Sequence, residues 1–548
     1  MTLSEAPVND LTSYCVLFAL GTLVHLAVLR KGEWDLWAAR FLGSWVVYEA
    51  TLPYLGSQYA NVSYWEALLV ANKCFLALAA GITSSILVYR ACFHRLNRFP
   101  GPFIARLSNL YGTVLAAKQE HMYEEVQKLH RQYGDIVRIG PSELSIATPK
   151  AFRIIHASTS PITKGPFYLI AHPWVNLLAD RNKKEHARRR KTWDKAFNGK
   201  ALRDYEHRVV GYTRQLTSQL DKMKDKPFDV NKWLNFYTFD IMSDLSFGKS
   251  FNMLDSGIEH EFLKLSHDSE TLLGYFRRLI WLFPIFKATP VLSNAFRTFQ
   301  GYIKDQVETR RKNKPSMPDV FSWILDDFDA IEKPSDQDYN NLYGDAHLII
   351  IAGSDTTSAA TTCLLHQLAL HPEVCSLVQE EIDAYKKSHE QSDYSSLAQL
   401  TYLQACIDES LRLLPVVPSG LQRMTPPEGM QLDDVFIPGN TIIQAPSYTM
   451  YRDERCFVRP NEFIPERWTS RPELIKDGSV YAPFSTGRGA CAGKQLGLME
   501  MRFVLSEILS RYNINFAPGA DPKVFIDGLR DCFTLELPKL EMVFTTRT

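Results

Sequence analysis

The stretch His347 to Pro372, HLIIIAGSDTTSAATTCLLHQLALHP, is apolar on nearly every side. A helix of that kind has no face to give to water, so it must lie inside a body large enough to wrap it. Its middle nevertheless carries Gly353, Ser354, Asp355, Thr356 and Thr357. A carboxylate and hydroxyls taken out of water are costly unless they find partners. Serine and threonine can bond a carbonyl one turn back, and glycine loosens a helix. The expectation is a distorted polar notch in a buried helix. It is either a packing defect capped by its own hydroxyls or a functional site.

The front of the chain makes a second demand. Leu11 to Leu29 is 19 residues without a formal charge, followed by Arg30 and Lys31. That length spans a bilayer. Two further candidates follow, at about 41–56, which holds Glu49 and Pro53, and at about 67–89, which holds Lys73. Apolar segments continue too far for a cleaved signal peptide. Arg30, Lys31 and Arg40 lie between the first two candidates, and Arg90, Arg95 and Arg98 follow the third. Three spans then put the N-terminus in the lumen and everything after residue 90 in the cytosol. Asn61-Val62-Ser63 is a glycosylation acceptor pattern in the lumenal loop of that topology. One anchor with two interfacial helices is the alternative.

Arg98–Pro102, RFPGP, stops any helix and marks the boundary between a membrane region, 1–97, and a body of 98–548. In that body, Asp135 to Ala147 alternates about a Gly140-Pro141 turn and predicts a hairpin. Helical spacing dominates from Tyr205 to Leu414, and a strand-and-turn region surrounds Phe436 to Gln444. The fold class is therefore mainly α with minor β. Lys plus Arg equals Asp plus Glu, 61 each, so no global field favours nucleic acid.

Nine cysteines are scattered without CxxC or zinc-like spacing. One stands apart. Cys491 lies in FSTGRGACAG, 484–493, just before a segment of helical periodicity. A helix N-terminus favours a thiolate. Gly487, Gly489 and Gly493 allow unusual dihedrals and close approach of a flat ligand. Phe484 offers a ring to shield the sulfur. Backbone donors, dryness and room are what a thiolate ligand to haem iron needs.

Here the sequence resembles the cytochrome P450 family, most of all its fungal membrane-bound members. Phe484, Gly487, Cys491 and Gly493 match the family's cysteine motif. Its arginine position is Gly489 here, with Arg488 one place earlier. Ala352-Gly353-Ser354-Asp355-Thr356 matches the oxygen-activation motif. Glu409-Ser410-Leu411-Arg412 matches Glu-x-x-Arg, and Pro465–Trp468, PERW, follows it in family order.

The resemblance implies a cytochrome P450 fold over 98–548 and haem b with Cys491 as axial thiolate. It implies insertion of one oxygen atom from O2 into a lipophilic small molecule, such as a terpenoid or other secondary metabolite. Electrons would come from NADPH through an FAD/FMN reductase, with cytochrome b5 as a further partner, at the endoplasmic reticulum membrane. Asp355 and Thr356 would relay protons, and Glu409, Arg412 and Arg467 would form one network. His186 and Arg190 share a helix face and, with Arg423 and Arg488, would hold the haem propionates. His186 stands where the family usually has tryptophan. The rest of the basic run Arg181–Lys191, seven basic residues in eleven, would face out towards an acidic reductase. The pocket would be lined by Phe167, Tyr168, Ile350, Ala352, Val417, Leu421 and Phe533. The alternatives are a non-oxygenating haem-thiolate isomerase or dehydratase, and a non-enzymatic haem-binding membrane protein.

Overall fold

Three helices open the chain in the computed structural model, which describes residues 11–60, 62–315 and 317–547: α1 (Leu11–Val24), α2 (Ala38–Ala60) and α3 (Tyr64–Val88). Asn61 lies outside the described residues. The chain divides into two compact units. The first runs to Thr113 and takes in 137–143 and 276–294.

Within the first unit, α1 and α3 pack through glycines. A Cβ on Gly21 would stand 2.2 Å from the Leu78 carbonyl oxygen, and one on Gly81 2.1 Å from that of Phe18. Small residues at the contact are how helices approach closely without a hydrophobic driving force. Polar groups find partners inside the unit: His25 Nδ1 meets Ser85 Oγ at 2.8 Å, and Asn72 Nδ2 donates to Glu49 Oε2 at 3.0 Å. Ser63 and Glu66 form the capping box that starts α3. Leu11–Leu29 and Tyr64–Phe93 are long and apolar enough to cross a membrane. α2 carries Arg40, Glu49 and Pro53 and is not among the helices that meet this measure in the described residues.

The second unit comprises 114–136, 144–275 and 295–548. Six of its helices position the site: α4 (Lys183–Ala196), α5 (Val230–Phe247), α6 (Glu261–Phe276), α7 (Asp336–Leu370), α8 (Thr401–Leu413) and α9 (Lys494–Arg511). α7 is the apolar segment of the sequence, started by a Ser335–Asp338 capping box. It is long and apolar enough to cross a membrane, but 72% of its apolar window is buried inside the protein, which makes it a core helix. The expected distortion is absent, because α7 runs unbroken through the notch. Two of its hydroxyls bond within the helix, Thr356 Oγ1 donating to the Ala352 carbonyl at 2.8 Å and Thr361 Oγ1 to that of Thr357 at 2.7 Å, while Ser354 Oγ donates across to the Thr238 carbonyl on α5 at 3.3 Å. Gly353 serves packing, since a Cβ there would lie 2.5 Å from Met242 Cε on α5.

Strands are few and short. β1 (Thr163–Lys164), β2 (Arg423–Met424) and β3 (Ile442–Gln444) pair antiparallel, with Lys164 opposite Arg423 and Arg423 opposite Ile443. The predicted hairpin region carries strands Ile136–Gly140 and Glu143–Ile146.

Candidate active site

The loop before α9 is shaped by its backbone. The Cys491 N–H donates to the Phe484 carbonyl at 2.8 Å. Gly487 holds φ at +64°, and a Cβ there would lie 2.4 Å from the His156 carbonyl oxygen, so only glycine makes this turn. Arg488 donates to the Ser160 carbonyl. Cys491 is exposed, whereas Cys363, Cys375, Cys406, Cys456 and Cys532 are buried. On its other sides Cys491 is crowded by protein. Burial pushes its thiol up, against the N–H groups of Gly493 and Lys494 and the charges of Arg190 and Lys494. Burial therefore outweighs the helix terminus that the sequence suggested would favour the thiolate. A metal cation reverses such a balance, because a coordinating thiol is deprotonated.

Beside the loop lies a nest of cations. On α4, Arg190 Nη1 donates to the Ala490 carbonyl at 2.5 Å and its Nε meets Asp194 Oδ1 at 2.6 Å. His186, one turn earlier, is half-buried. Burial, then Lys164 and Arg190, bring its imidazole down to about 4. Arg423 Nη1 donates to the Tyr168 hydroxyl at 3.3 Å. Across the ladder, Lys164 Nζ donates to the Leu177 carbonyl at 2.8 Å. Burial and the charge of Arg423 pull the Lys164 ammonium down to about 7. His156 is lowered to about 4 by burial and Arg423. Like charges directly opposite across an antiparallel pair are destabilising, so the nest gains by receiving anions. The space at Gly489 is already used: a Cβ there would stand 3.1 Å from Arg423 Nη2. Lys164 escaped the sequence reading, because a lone lysine in TKGPF signals nothing until strand register sets it against Arg423.

The basic run of α4 does not all face out. Arg189 is buried, with Nη2 at 2.7 Å from Asp345 and Nη1 at 3.4 Å from Asp180. Arg188 pairs with Glu185 at 2.8 Å and Asp327 at 3.0 Å. An α-helix laid on a core turns some residue of any such run inward.

The structure brings Glu409, Arg412 and Arg467 together with no exposed side-chain surface on any of them. Arg412 holds both carboxylate oxygens of Glu409 at 2.8 Å, and Arg467 Nε lies 2.9 Å from Oε1. Trp468 Nε1 and the Ile464 N–H complete the set at 3.0 and 2.9 Å. Burial would raise the Glu409 carboxyl, but Arg412 and Arg467 hold it below the usual carboxylate range.

On α7, Ala352 and Thr356 share one face. Ile350 does not join them: it is fully buried in the main core, and two residues along a helix turn its side chain to the other side. Asp355 has a side chain only 10% exposed, and among the described residues neither carboxylate oxygen has a hydrogen-bond partner. His267 Nε2 on α6 stands 3.5 Å from Asp355 Oδ1. No sequence motif marked His267. Phe167 and Phe533 stack with centroids 5.1 Å apart, and Tyr168 meets Phe167 edge-on at 5.3 Å. Val417 and Leu421 are half-buried in the loop between α8 and β2.

An accessible loop cysteine at the start of a helix, a cation nest beside it and a carboxylate–hydroxyl pair on a buried helix suit a haem-thiolate protein. Residues 101–541 match the family model described as Cytochrome P450, and the chain belongs to that family. It is 51% identical over 542 residues to Cytochrome P450 monooxygenase FCK2 of Fusarium pseudograminearum, covering 98% of each chain. It is 39% identical to Cytochrome P450 monooxygenase phqL of Penicillium fellutanum, over 97% of this chain and 94% of that one. It is 33% identical to Tryprostatin B 6-hydroxylase of Neosartorya fischeri, over 96% and 97%. The chain is an enzyme of the cytochrome P450 monooxygenase class. The family implies haem with a cysteine thiolate ligand, and its monooxygenases generally need a redox-partner reductase.

Proposed function

We propose that this chain inserts one oxygen atom from O2 into a lipophilic secondary metabolite, with Cys491 as the thiolate ligand of its haem. Electrons come from NADPH through an FAD/FMN reductase, with cytochrome b5 as a further donor. The observation that carries this reading is the cation nest beside Cys491, in which Lys164 and Arg423 stand opposite each other with no carboxylate hydrogen-bonded to either among the described residues. Lys164, Arg423, Arg190, Arg488 and His186 would hold the two propionates. Gly489 leaves room for Arg423 to do what an arginine at that position does elsewhere in the family. Bound haem supplies the activation of O2 that side chains cannot. Phe484 shields the sulfur, the aromatic group of Phe167, Tyr168 and Phe533 keeps water from the substrate, and Asp355 and Thr356 hold and pass protons on the α7 face. A terpenoid and tryprostatin B, the substrate in one relative's name, are the first compounds to offer.

Leu11–Leu29 anchors the enzyme in the endoplasmic reticulum. α2 and α3 follow as further spans and leave the catalytic body, 98–548, in the cytosol. The polar pairing of Asn72 with Glu49 supports α2 as a partner of α3 in the bilayer. A tag at residue 1 should be protected from protease in sealed microsomes, and cleavage of that tag would defeat the three-span topology.

Cys491→Ala tests the central assignment. The variant should lose the red-shifted Soret band of the ferrous carbonyl complex, which requires thiolate ligation. A variant that keeps the band has another ligand.

A further inference from the structure

We infer that His267 is the outer station of the proton supply to Asp355, a positioning residue that hands protons inward from solvent. This rests on the proton-passing role of Asp355 and Thr356 given above. Asp355 has a side chain only 10% exposed and, among the described residues, its carboxylate has no hydrogen-bond partner, so a neighbouring side chain is the route for its protons. His267 Nε2 lies 3.5 Å from Oδ1, and on its other side Nδ1 lies 4.0 Å from Glu259 Oε1. Side-chain exposure falls along the line: 45% at Glu259, 29% at His267 and 10% at Asp355. Carboxylate, imidazole and carboxylate thus step from the surface to the notch. An imidazole both takes and releases a proton near neutral pH, which an arginine or lysine in that place would not.

The surrounding charges favour the protonated ring. Facing it are Asp355 on α7, Glu259 before α6, and Glu536 on the strand Leu535–Glu536. Burial lowers the ring's proton affinity, but the contact with Asp355, then Glu536 and Glu259, outweigh it and raise the pKa above its ordinary value. Glu536 is itself held by Arg530 and receives the Thr271 hydroxyl and the Cys532 thiol, each at 3.3 Å. From α5 the Phe239 ring meets it edge-on at 6.2 Å. His347, also within the field of Asp355, is brought down to about 4 by burial and is uncharged at neutral pH. In the step itself, the imidazolium gives its Nε2 proton to Asp355 Oδ1. Asp355 passes a proton on towards Thr356 and returns to carboxylate; the neutral ring, which keeps its Nδ1–H, swings outward, regains its Nε2 proton from water beside Glu259 and returns to Asp355. One proton enters for each delivered, and no electron moves.

The test uses full-length haem-loaded enzyme with its reductase. Histidine-specific hydrogen–deuterium exchange by mass spectrometry, without turnover, reads the His267 pKa. It should lie above about 6.5, the ordinary value, and should fall in Asp355→Asn. With NADPH and no added substrate, the share of reducing equivalents ending as water rather than hydrogen peroxide should drop roughly tenfold in His267→Asn. That is below the roughly 10²–10⁴ of a group acting on reacting atoms, and Thr356→Ala sets the larger loss for comparison. In wild type this share should decline as pH rises through the His267 pKa, and His267→Asn should lose that limb. An unchanged His267 pKa in Asp355→Asn, or wild-type partition and pH profile in His267→Asn, overturns the relay. If the carbonyl complex keeps its red-shifted band in those variants, the relay alone has failed. A retained band in Cys491→Ala would instead defeat the underlying reading.

Discussion

Glu409 sits between Arg412 and Arg467, while Lys164 sits opposite Arg423. Both places crowd cations together, but the first seats a carboxylate between its guanidiniums, whereas among the described residues no carboxylate is hydrogen-bonded to Lys164 or Arg423. Around Glu409, five donors meet two oxygens, and the remaining guanidinium N–H groups reach carbonyls such as those of Tyr451 at 2.8 Å and Val458 at 3.0 Å. Folding alone completes that network. Around Arg423, folding leaves a guanidinium that lowers the proton affinity of Lys164 and His156. The difference separates a structural charge cluster from a binding one: the second becomes favourable only with anions from outside the chain.

The sharpest way to break the comparison is Glu409→Gln. Shape is kept while the only carboxylate between two buried guanidiniums is lost. Removing one partner of a buried pair costs about 3–5 kcal/mol, so the chemical unfolding midpoint of the holoprotein should fall by that equivalent. A loss below about 1 kcal/mol would mean that carbonyls suffice and the network is not closed by charge.

Arg423→Ala and Lys164→Ala should act in the opposite sense. Neither removes a satisfied ion pair, so folding should survive, but haem should be held less tightly. A hydrogen bond to a charged group contributes about 1.5–3 kcal/mol, roughly a tenfold to hundredfold weakening of retention. Arg455, paired on the surface with Asp135 at 2.8 Å and Asp453 at 2.6 Å, is the control, and Arg455→Ala should leave haem content unchanged. Equal retention in all three variants would remove the distinction between the two clusters.

A pH dependence sharpens the comparison further. Lys164 binds its proton less tightly in the folded apoprotein, at about 7, than in the unfolded chain, at about 10.5. Between these values the unfolded state carries more protons, so apoprotein stability should rise with pH. Lys164→Met should flatten that rise, measured by denaturant unfolding at pH 7 to 10. A wild-type profile already flat would show that Lys164 is not strained by its neighbours.

What the sequence displayed and what it hid follow from how far apart the cooperating residues lie. The loop around Cys491, the Glu409–Arg412 turn and PERW are short contiguous patterns whose spacing already states their geometry. Lys164 and Arg423 meet through strand register, and His267 reaches Asp355 through the packing of two helices. No local pattern encodes either. The notch in α7 was legible as polar but not as regular, because nothing in SDTTS tells whether a hydroxyl will turn to its own helix or disrupt it. Ile350 and Ala352 looked alike as apolar neighbours, and only the helical angle between them sends one to the core. The main helical body followed from periodicity, and α7 in particular from the length of its apolar run.

The approach of Arg423 to Gly489 has a consequence for evolution and engineering. The two positions are not free to change independently. Restoring the family's arginine at 489 in this background would press a second guanidinium onto the first. A chimera that keeps Arg423 but takes an arginine at 489 from another parent thus sets two side chains in one space. Functional recombinants should carry both from the same parent.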